Sequence, residues 1–521
     1  MEVGVRLLGI VLRLLNFLLA PLFWFRTRNR RAVPRPPHPL LLRSAKEHAT
    51  AIRSGEITSE ELVIAYINRV QEVNPLLNAV VEERYRAALE DAKEVDRCLN
   101  EAIRTGTLEE LVAAKPLLGV PFTVKESCSL AGLSNAVGCL EYAGRKATED
   151  GGAVRLVKEA GGIPLLVSNT PELCLGWETT NLLKGTTNNP YCLSRTPGGS
   201  SGGEGALLAC GASAVSVASD IAGSIRVPAA FCGVFGHKPT PGIIPIDGHI
   251  PTLSDPKFPN FLTVGPMARR AEDLPLLMNI MAGDNRHMLN LDEPVDLSTL
   301  QVYYMTEAAK SLALLNVDKC IKDKIKRAVK YLRTECGSKI CKEKFKDLED
   351  SVEMSVSVFF SMKDIPNMLQ DPNDPKLNKS LFVELVKTMF GGAARSLQGL
   401  GFTVIARNNL FIPAARREHY EEKAARLKEQ LIETLGDNGV LLYPVFPGAA
   451  HAHGRVFVRA AGVLYSMLFN VLGCPATAVP VGTAGHLPVA IQVIAAPNQD
   501  RLCLAVAKQL EIGFGGWCPP Q

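Results

Sequence analysis

The sequence predicts an α/β fold in which one sheet carries helices on both faces, preceded by an N-terminal helix of a different character. Three observations lead there. Helical periodicity over 151–161 runs directly into the apolar stretch 163–167, and the same order recurs where small residues at 202–211 precede an apolar strand at 214–219. Repetition of helix then strand is the pattern of an α/β sheet. Towards the end of the chain, 440–444 and 487–494 read as closing strands with a turn at 470–475 between them, so both ends of the body contribute to one sheet. The third observation is the run 3–25, which approaches the ~20 apolar residues that a membrane-spanning helix needs.

That first run is not uniformly apolar. Glu2, Arg6, Gly9, Arg13 and Asn16 recur every three or four residues and form one polar stripe along a helix. The stripe fits a spanning helix that meets a partner, an amphipathic helix lying in the membrane interface, or a signal peptide. Signal peptides carry their charge ahead of the apolar run and end in a small-residue cleavage site. Here Arg26, Arg28, Arg30, Arg31 and Arg35 come after the run, with Trp24 beside them as an interfacial anchor. The expected organisation is a membrane-anchoring segment at 1–31, a proline-rich linker at 32–43 and one domain over 44–521. The positive-inside rule puts that domain in the cytosol, held single-pass or monotopically on an intracellular membrane or lipid droplet.

Along the body, Thr58 and Glu61 form a capping box that opens a helix with Leu62, Ala65, Tyr66 and Val70 on one face, and Asn74-Pro75 is expected to close it. A second helix is expected over 82–99. The middle of the chain, 284–436, is the least patterned. In it 371–375 reads as a loop and 420–435 as a charged helix, while 381–413 mixes apolar clusters with Lys387, Arg395 and Arg407. Core helices are the expectation for 381–413, in preference to a channel cover or a lipid contact.

Of the 521 residues, 47% are hydrophobic and 21% charged, which is enough for a large core. The net charge of +4 is small for this length, and much of the basic excess lies in one N-terminal segment, so nucleic acid is not expected as a partner. Thirteen cysteines lie scattered with no Cys-x-x-Cys pair, which implies buried thiols in a reducing compartment. The nine histidines form no metal motif, and His451 and His453 read as loop residues.

Chemistry concentrates in 197–228. Ser200 and Ser201 stand between Gly198, Gly199, Gly202 and Gly203, a glycine density that lets backbone approach a ligand. A flexible linker is a poor reading, because a tightly apolar helix and strand follow at once. A phosphate loop needs a Lys-Ser or Lys-Thr pair where Glu204 stands. Nucleophilic catalysis remains, in two forms: a nucleophile elbow centred on Ser201, with a downstream Asp and His such as His451, His453 or His486, or a nucleophile at Ser224.

Gly198-Gly-Ser-Ser-Gly-Gly203, followed by Asp220-Ile-Ala-Gly-Ser-Ile-Arg-Val-Pro228, resembles the signature of the amidase signature family. Gly119-Val-Pro-Phe-Thr-Val-Lys125-Glu126 resembles that family's strand ending in a catalytic lysine. Glu172-Leu-Cys-Leu-Gly-Trp-Glu178, Phe235-Gly-His-Lys-Pro239 and Phe514-Gly-Gly-Trp517 are most similar to the members acting on fatty acid amides. The likeness runs from about Ser44 to the C-terminus. It implies a catalytic domain with a single mixed sheet, and a Lys125-Ser200-Ser224 relay in which Lys125 takes the proton of Ser200 and Ser200 that of Ser224. It also implies a cis Gly199-Ser200 bond and an oxyanion hole built from the N–H groups of Ile221, Ala222, Gly223 and Ser224. Many members have glycine where Ala222 stands. Desolvation disfavours the charged form of an amine, and a neutral lysine can act as a base. Asp220 and Arg226 are expected to brace the turn.

The implied activity is hydrolysis of a lipid amide, a primary amide such as oleamide or an N-acylethanolamine such as anandamide. No metal or cofactor is called for, the membrane is a partner, and a homo-oligomer is possible. The alternatives are an amidase for small soluble amides, a Ser201-dependent esterase, and a catalytically silent membrane scaffold.

Overall fold

The computed structural model describes every residue except 1, 309–310, 344, 371–377 and 409–411, so the loop expected at 371–375 lies outside the described residues. The strands in chain order are β1 (Val80–Glu83), β2 (Pro121–Lys125), β3 (Ile163–Ser168), β4 (Thr180–Asn181), β5 (Gly185–Thr186), β6 (Val215–Asp220), β7 (Phe235–Lys238), β8 (Thr263–Ala268), β9 (Gln301–Tyr304), β10 (Lys339–Ile340), β11 (Gly439–Pro444), β12 (Ala476–Ala484) and β13 (Leu487–Ala495). Among the described residues they build one 11-stranded sheet in the order β1-β3-β2-β6-β8-β7-β12-β13-β11-β9-β10, while β4 and β5 pair separately. The sheet is mixed: β3, β2 and β6 run parallel, as do β11, β9 and β10, and the pairs between them are antiparallel.

Every residue of β2, β3, β6, β7, β8, β11 and β13 is buried. A strand buried at successive positions has both faces covered, so the sheet carries helices on each side as its apolar runs imply. The expected helices at 151–161 and 202–211 are Gly152–Glu159 and Gly202–Ala209. Both lead into parallel strands.

Two local readings need correction. The helix capped by Thr58 and Glu61 runs through Pro75 to Leu77 and ends on Asn78 in the left-handed conformation. Asn74 does not break it, because its side-chain oxygen turns to accept the N–H groups of Ala79 and Val80. The next helix begins at Tyr85, since Glu82 and Glu83 belong to β1, which pairs with β3.

At the N-terminus, helix α1 (Val3–Leu18) and helix α2 (Ala20–Arg26) meet at a 48° bend. No single helix among the described residues is long and apolar enough to cross a membrane, although this bent pair together meets the length and composition. The polar stripe of α1 faces the body of the protein. Glu2 accepts from Tyr420 Oη at 2.7 Å and Arg416 Nε at 3.1 Å, Arg13 donates to the carbonyls of Ser311 and Leu314, and Asn16 accepts from Arg455 Nε at 2.9 Å. A Cβ on Gly9 would stand 2.5 Å from the Leu312 carbonyl oxygen, so only glycine allows this approach. The outward side of α1, with Val3, Leu7, Ile10, Leu14, Phe17 and Leu18, is exposed.

Candidate active site

The site lies at the carboxyl ends of the parallel strands β2 and β6, the position where open α/β sheets leave a crevice. Lys125 is the last residue of β2 and is fully buried. Its Nζ lies 2.7 Å from Ser200 Oγ and 2.9 Å from Ser219 Oγ. Ser200 stands in the glycine loop ahead of the helix Gly202–Ala209, after a cis Gly199-Ser200 bond. Gly203 lets that helix start against the backbone of Asn169, where a Cβ would stand 2.6 Å from the carbonyl oxygen. Ser224 follows β6 by four residues, and Ser224, Ser200 and Ser219 open onto one small cavity.

Asp220 organises the turn that presents Ser224. Its carboxylate accepts the N–H groups of Gly223 at 2.7 Å and Ile225 at 3.0 Å, and takes Arg226 Nε and Nη2 at 3.0 and 3.1 Å. Burial pushes the Asp220 carboxyl up, yet the Arg226 guanidinium and these donors hold it well below the usual carboxylate range. Arg226 also reaches the Ser466 carbonyl, Gln492 and Asn470. This is the bracing role expected of the pair. The Gly223 N–H is thus engaged with Asp220, while Ile221, Ala222 and Ser224 line the main cavity. Trp177 Nε1 donates to the Ala222 carbonyl at 3.2 Å and fixes the same turn from the other side.

Sequence reasoning missed Ser219 and His249. His249 Nδ1 lies 2.9 Å from the Pro251 carbonyl oxygen, which can only accept, so the ring proton is on Nδ1 and Nε2 accepts from Ser219 Oγ at 2.9 Å. Burial and the neighbouring Lys125 charge push the imidazolium down to about 3, so the ring is neutral at working pH. With its proton given to His249, Ser219 presents lone pairs to Lys125. Nothing local in the sequence marks this contact, because the histidine arrives on a long loop between β7 and β8.

The elbow residues are not brought together. Ser201 is fully buried and its Oγ donates to the Ser219 carbonyl at 3.3 Å. His451 packs edge-on to Phe231, and His453 bonds Glu178 and Asn188. Among the described residues no histidine hydrogen-bonds Ser201. Glu204, where a phosphate loop would have lysine, is buried and accepts from Thr123, and its burial raises the carboxyl to about 7.

Beside Ser224 lies an apolar cavity of about 370 Å³, within the range of small-molecule sites. Apart from Ser224 its walls are almost wholly hydrophobic. They include Trp177, Phe359, Phe360, Met467 and, from α1, Val5, Leu8, Gly9 and Leu12. The segment 381–413 departs from the expected core helices. Phe382 and Phe390 are 73% and 83% exposed, and Phe402, Val404 and Ile405 of the helix Leu397–Asn408 line the cavity.

The family model described as Amidase matches residues 61–504. Fatty-acid amide hydrolase 2-A of Danio rerio is 39% identical over 99% of this chain and 97% of its own. Fatty-acid amide hydrolase 2 of Homo sapiens is 37% identical over 98% of this chain and 96% of its own. Among solved structures, a fatty acid amide hydrolase superposes with a TM-score of 0.72 at 21% identity, covering 92% of this chain and 86% of that one. A bacterial aryl acylamidase superposes with a TM-score of 0.71 at 22% identity, over 91% of this chain and 97% of its own.

Proposed function

The chain belongs to the amidase family and is an amidase, and from that premise we propose that it hydrolyses fatty acid amides through an acyl-enzyme on Ser224. The observation that carries the substrate class is the cavity, which Ser224 lines and which is otherwise almost wholly apolar. Each methylene of a bound acyl chain would gain ~0.8 kcal/mol by leaving water. A site for small soluble amides has no use for such walls. The relatives named for fatty acid amides agree with this choice.

In the proposed reaction Ser224 Oγ attacks the amide carbon as its proton passes to Ser200 and that of Ser200 to Lys125 Nζ, 2.7 Å away. The carbonyl oxygen becomes an oxyanion facing the turn 221–224. Of the four expected donors, the N–H groups of Ile221, Ala222 and Ser224 belong to cavity-lining residues, while that of Gly223 holds Asp220. Each oxyanion donor is worth about 10²–10³ in rate. The C–N bond then breaks, the relay runs backwards to protonate the leaving amine, and water releases the fatty acid by the same route. Ser219, held by His249, keeps one Nζ–H of Lys125 engaged and so aims the amine at Ser200.

Attachment to a membrane is part of the proposal. The exposed apolar side of α1, Trp24 and Phe25 on α2, and Phe382 and Phe390 form outward-facing hydrophobic surface, and Arg26, Arg28, Arg30 and Arg31 beside it are exposed. Because the polar stripe of α1 is spent on the protein body, an interfacial, monotopic arrangement fits better than a spanning one. Residues 44–521 form the catalytic domain. Turnover of a panel from acetamide to oleamide and anandamide in detergent tests the function. We expect kcat/KM to favour long chains by orders of magnitude, and equal values for acetamide and oleamide would refute the lipid assignment.

A further inference from the structure

We infer that the N-terminal helix α1 is a wall of the acyl-chain site and sets chain-length selectivity, in addition to any part it has in attachment. The inference rests on the fatty acid amide reading above. Val5, Leu8, Gly9 and Leu12 follow the i, i+3, i+4, i+7 spacing of one helical face, and all four line the cavity that Ser224 also lines. Val5 and Gly9 are buried and Leu8 and Leu12 half-buried, whereas Leu7, Ile10 and Leu14 on the opposite side are exposed. Anchoring alone needs only the outward face. An apolar inward face over a cavity is what a binding wall requires.

The wall is held in register by contacts that an unattached anchor would not make. Glu2 pairs with Arg416 and Tyr420, and its backbone N–H donates to Glu353 at 2.9 Å. Arg13 caps two carbonyls of the loop preceding Val317, and Asn16 is bonded by Arg455. Gly9 touches the backbone of Leu312 and Ala313, and Ala313 itself lines the cavity. These pins span the helix from its N-cap, Glu2, to its last turn. The sequence set 1–31 apart as an anchor preceding the catalytic domain, yet this packing makes it a structural part of the site.

The consequence grows with chain length. A long acyl group covers more of this wall than a short one, and each further methylene against an apolar wall raises kcat/KM about fourfold. Leu8→Trp and Leu12→Trp should fill the volume in front of the helix, and Gly9→Val should wedge the helix off Leu312 and Ala313. Full-length protein is assayed in detergent on n-acyl p-nitroanilides of increasing length. Flotation with phosphatidylcholine–phosphatidylserine vesicles and fluorophosphonate labelling follow attachment and the integrity of the site. We expect Leu12→Trp to move the optimum to shorter chains and to lower kcat/KM for the longest substrates by tenfold or more. The loss should grow with chain length, and flotation should be unchanged. Gly9→Val should lose long-chain preference in the same direction without a bulky group entering the cavity. Variant profiles that superimpose on a wild-type profile rising with length would overturn the wall and leave the substrate reading intact. A wild-type profile flat in chain length, with labelling intact, would remove the substrate reading and this inference with it.

Discussion

Ser219 is the residue through which the proposed base is aimed, and its effect should fall on rate rather than binding. Ser219→Ala removes one of two oxygens bonded to Lys125 Nζ, and a misdirected amine should lower kcat on the order of 10²-fold. His249→Phe should lower it in the same sense by less, since Ser219 keeps its place on β6. KM should change little in both variants, and an unchanged kcat would show that the clamp does not position the base. Ser200→Ala and Lys125→Ala should each lose most of the rate, with a combined loss far below the product of the two, because either break leaves the nucleophile unactivated. A multiplicative loss would mean they act separately. The candidates Lys125, Ser200 and Ser224 were legible in the sequence because the strings around them resemble the family signature. Ser219 and His249 were not, because their meeting depends on β6 lying beside β2 and on where a long loop returns.

At the scale of single elements, the helix Gly202–Ala209 carries a buried acid as well as the end of the glycine loop. Glu204 has a carboxyl raised by burial to about 7, against 4.5 for an exposed glutamate. The folded protein therefore holds this proton more tightly than the unfolded chain, so the group's contribution to stability is lost as pH rises from about 4.5 to about 7 and stays lost above that. Glu204→Gln keeps an acceptor for Thr123 and removes the ionisation. It should stabilise the protein at pH 8 by on the order of 2 kcal/mol and scarcely at pH 4. Chemical denaturation at the two pH values reads this directly, and an equal effect at both would exclude ionisation of Glu204 as the cause. Helices Gly202–Ala209 and Gly152–Glu159 were legible from period and flanking glycines. The role of α1 was not, since periodicity locates a stripe without naming the surface it meets. For 381–413, apolar clusters looked alike whether they lined a core, as the sequence suggested, or a cavity and the outer surface, as Phe402 and Phe390 do.

Across the whole molecule, Arg226 ties together parts of the chain that fold far apart. Its guanidinium joins Asp220 at the end of β6 to Ser466 and Asn470 on the helix Leu464–Val471 and to Gln492 on β13. Arg226→Met would leave the Asp220 carboxylate buried without its counter-charge and should cost about 3–5 kcal/mol, measurable as a lower denaturation midpoint with loss of activity. A stable variant would show that the Asn470 and backbone donors suffice. The α/β class and the covering of both faces followed from repeated helix-then-strand order, while the strand order that brings β6 between β2 and β8 has no local signature. The Lys125 and Ser200 pair, the braced turn and the apolar cavity all lead to Ser224, the residue proposed to become acylated. Peptide mapping of the full-length protein after reaction with a fluorophosphonate tests that most directly: the adduct should lie on Ser224, disappear in Ser224→Ala and persist in Ser201→Ala, whereas an adduct on Ser201, or undiminished labelling of Ser224→Ala, would contradict it.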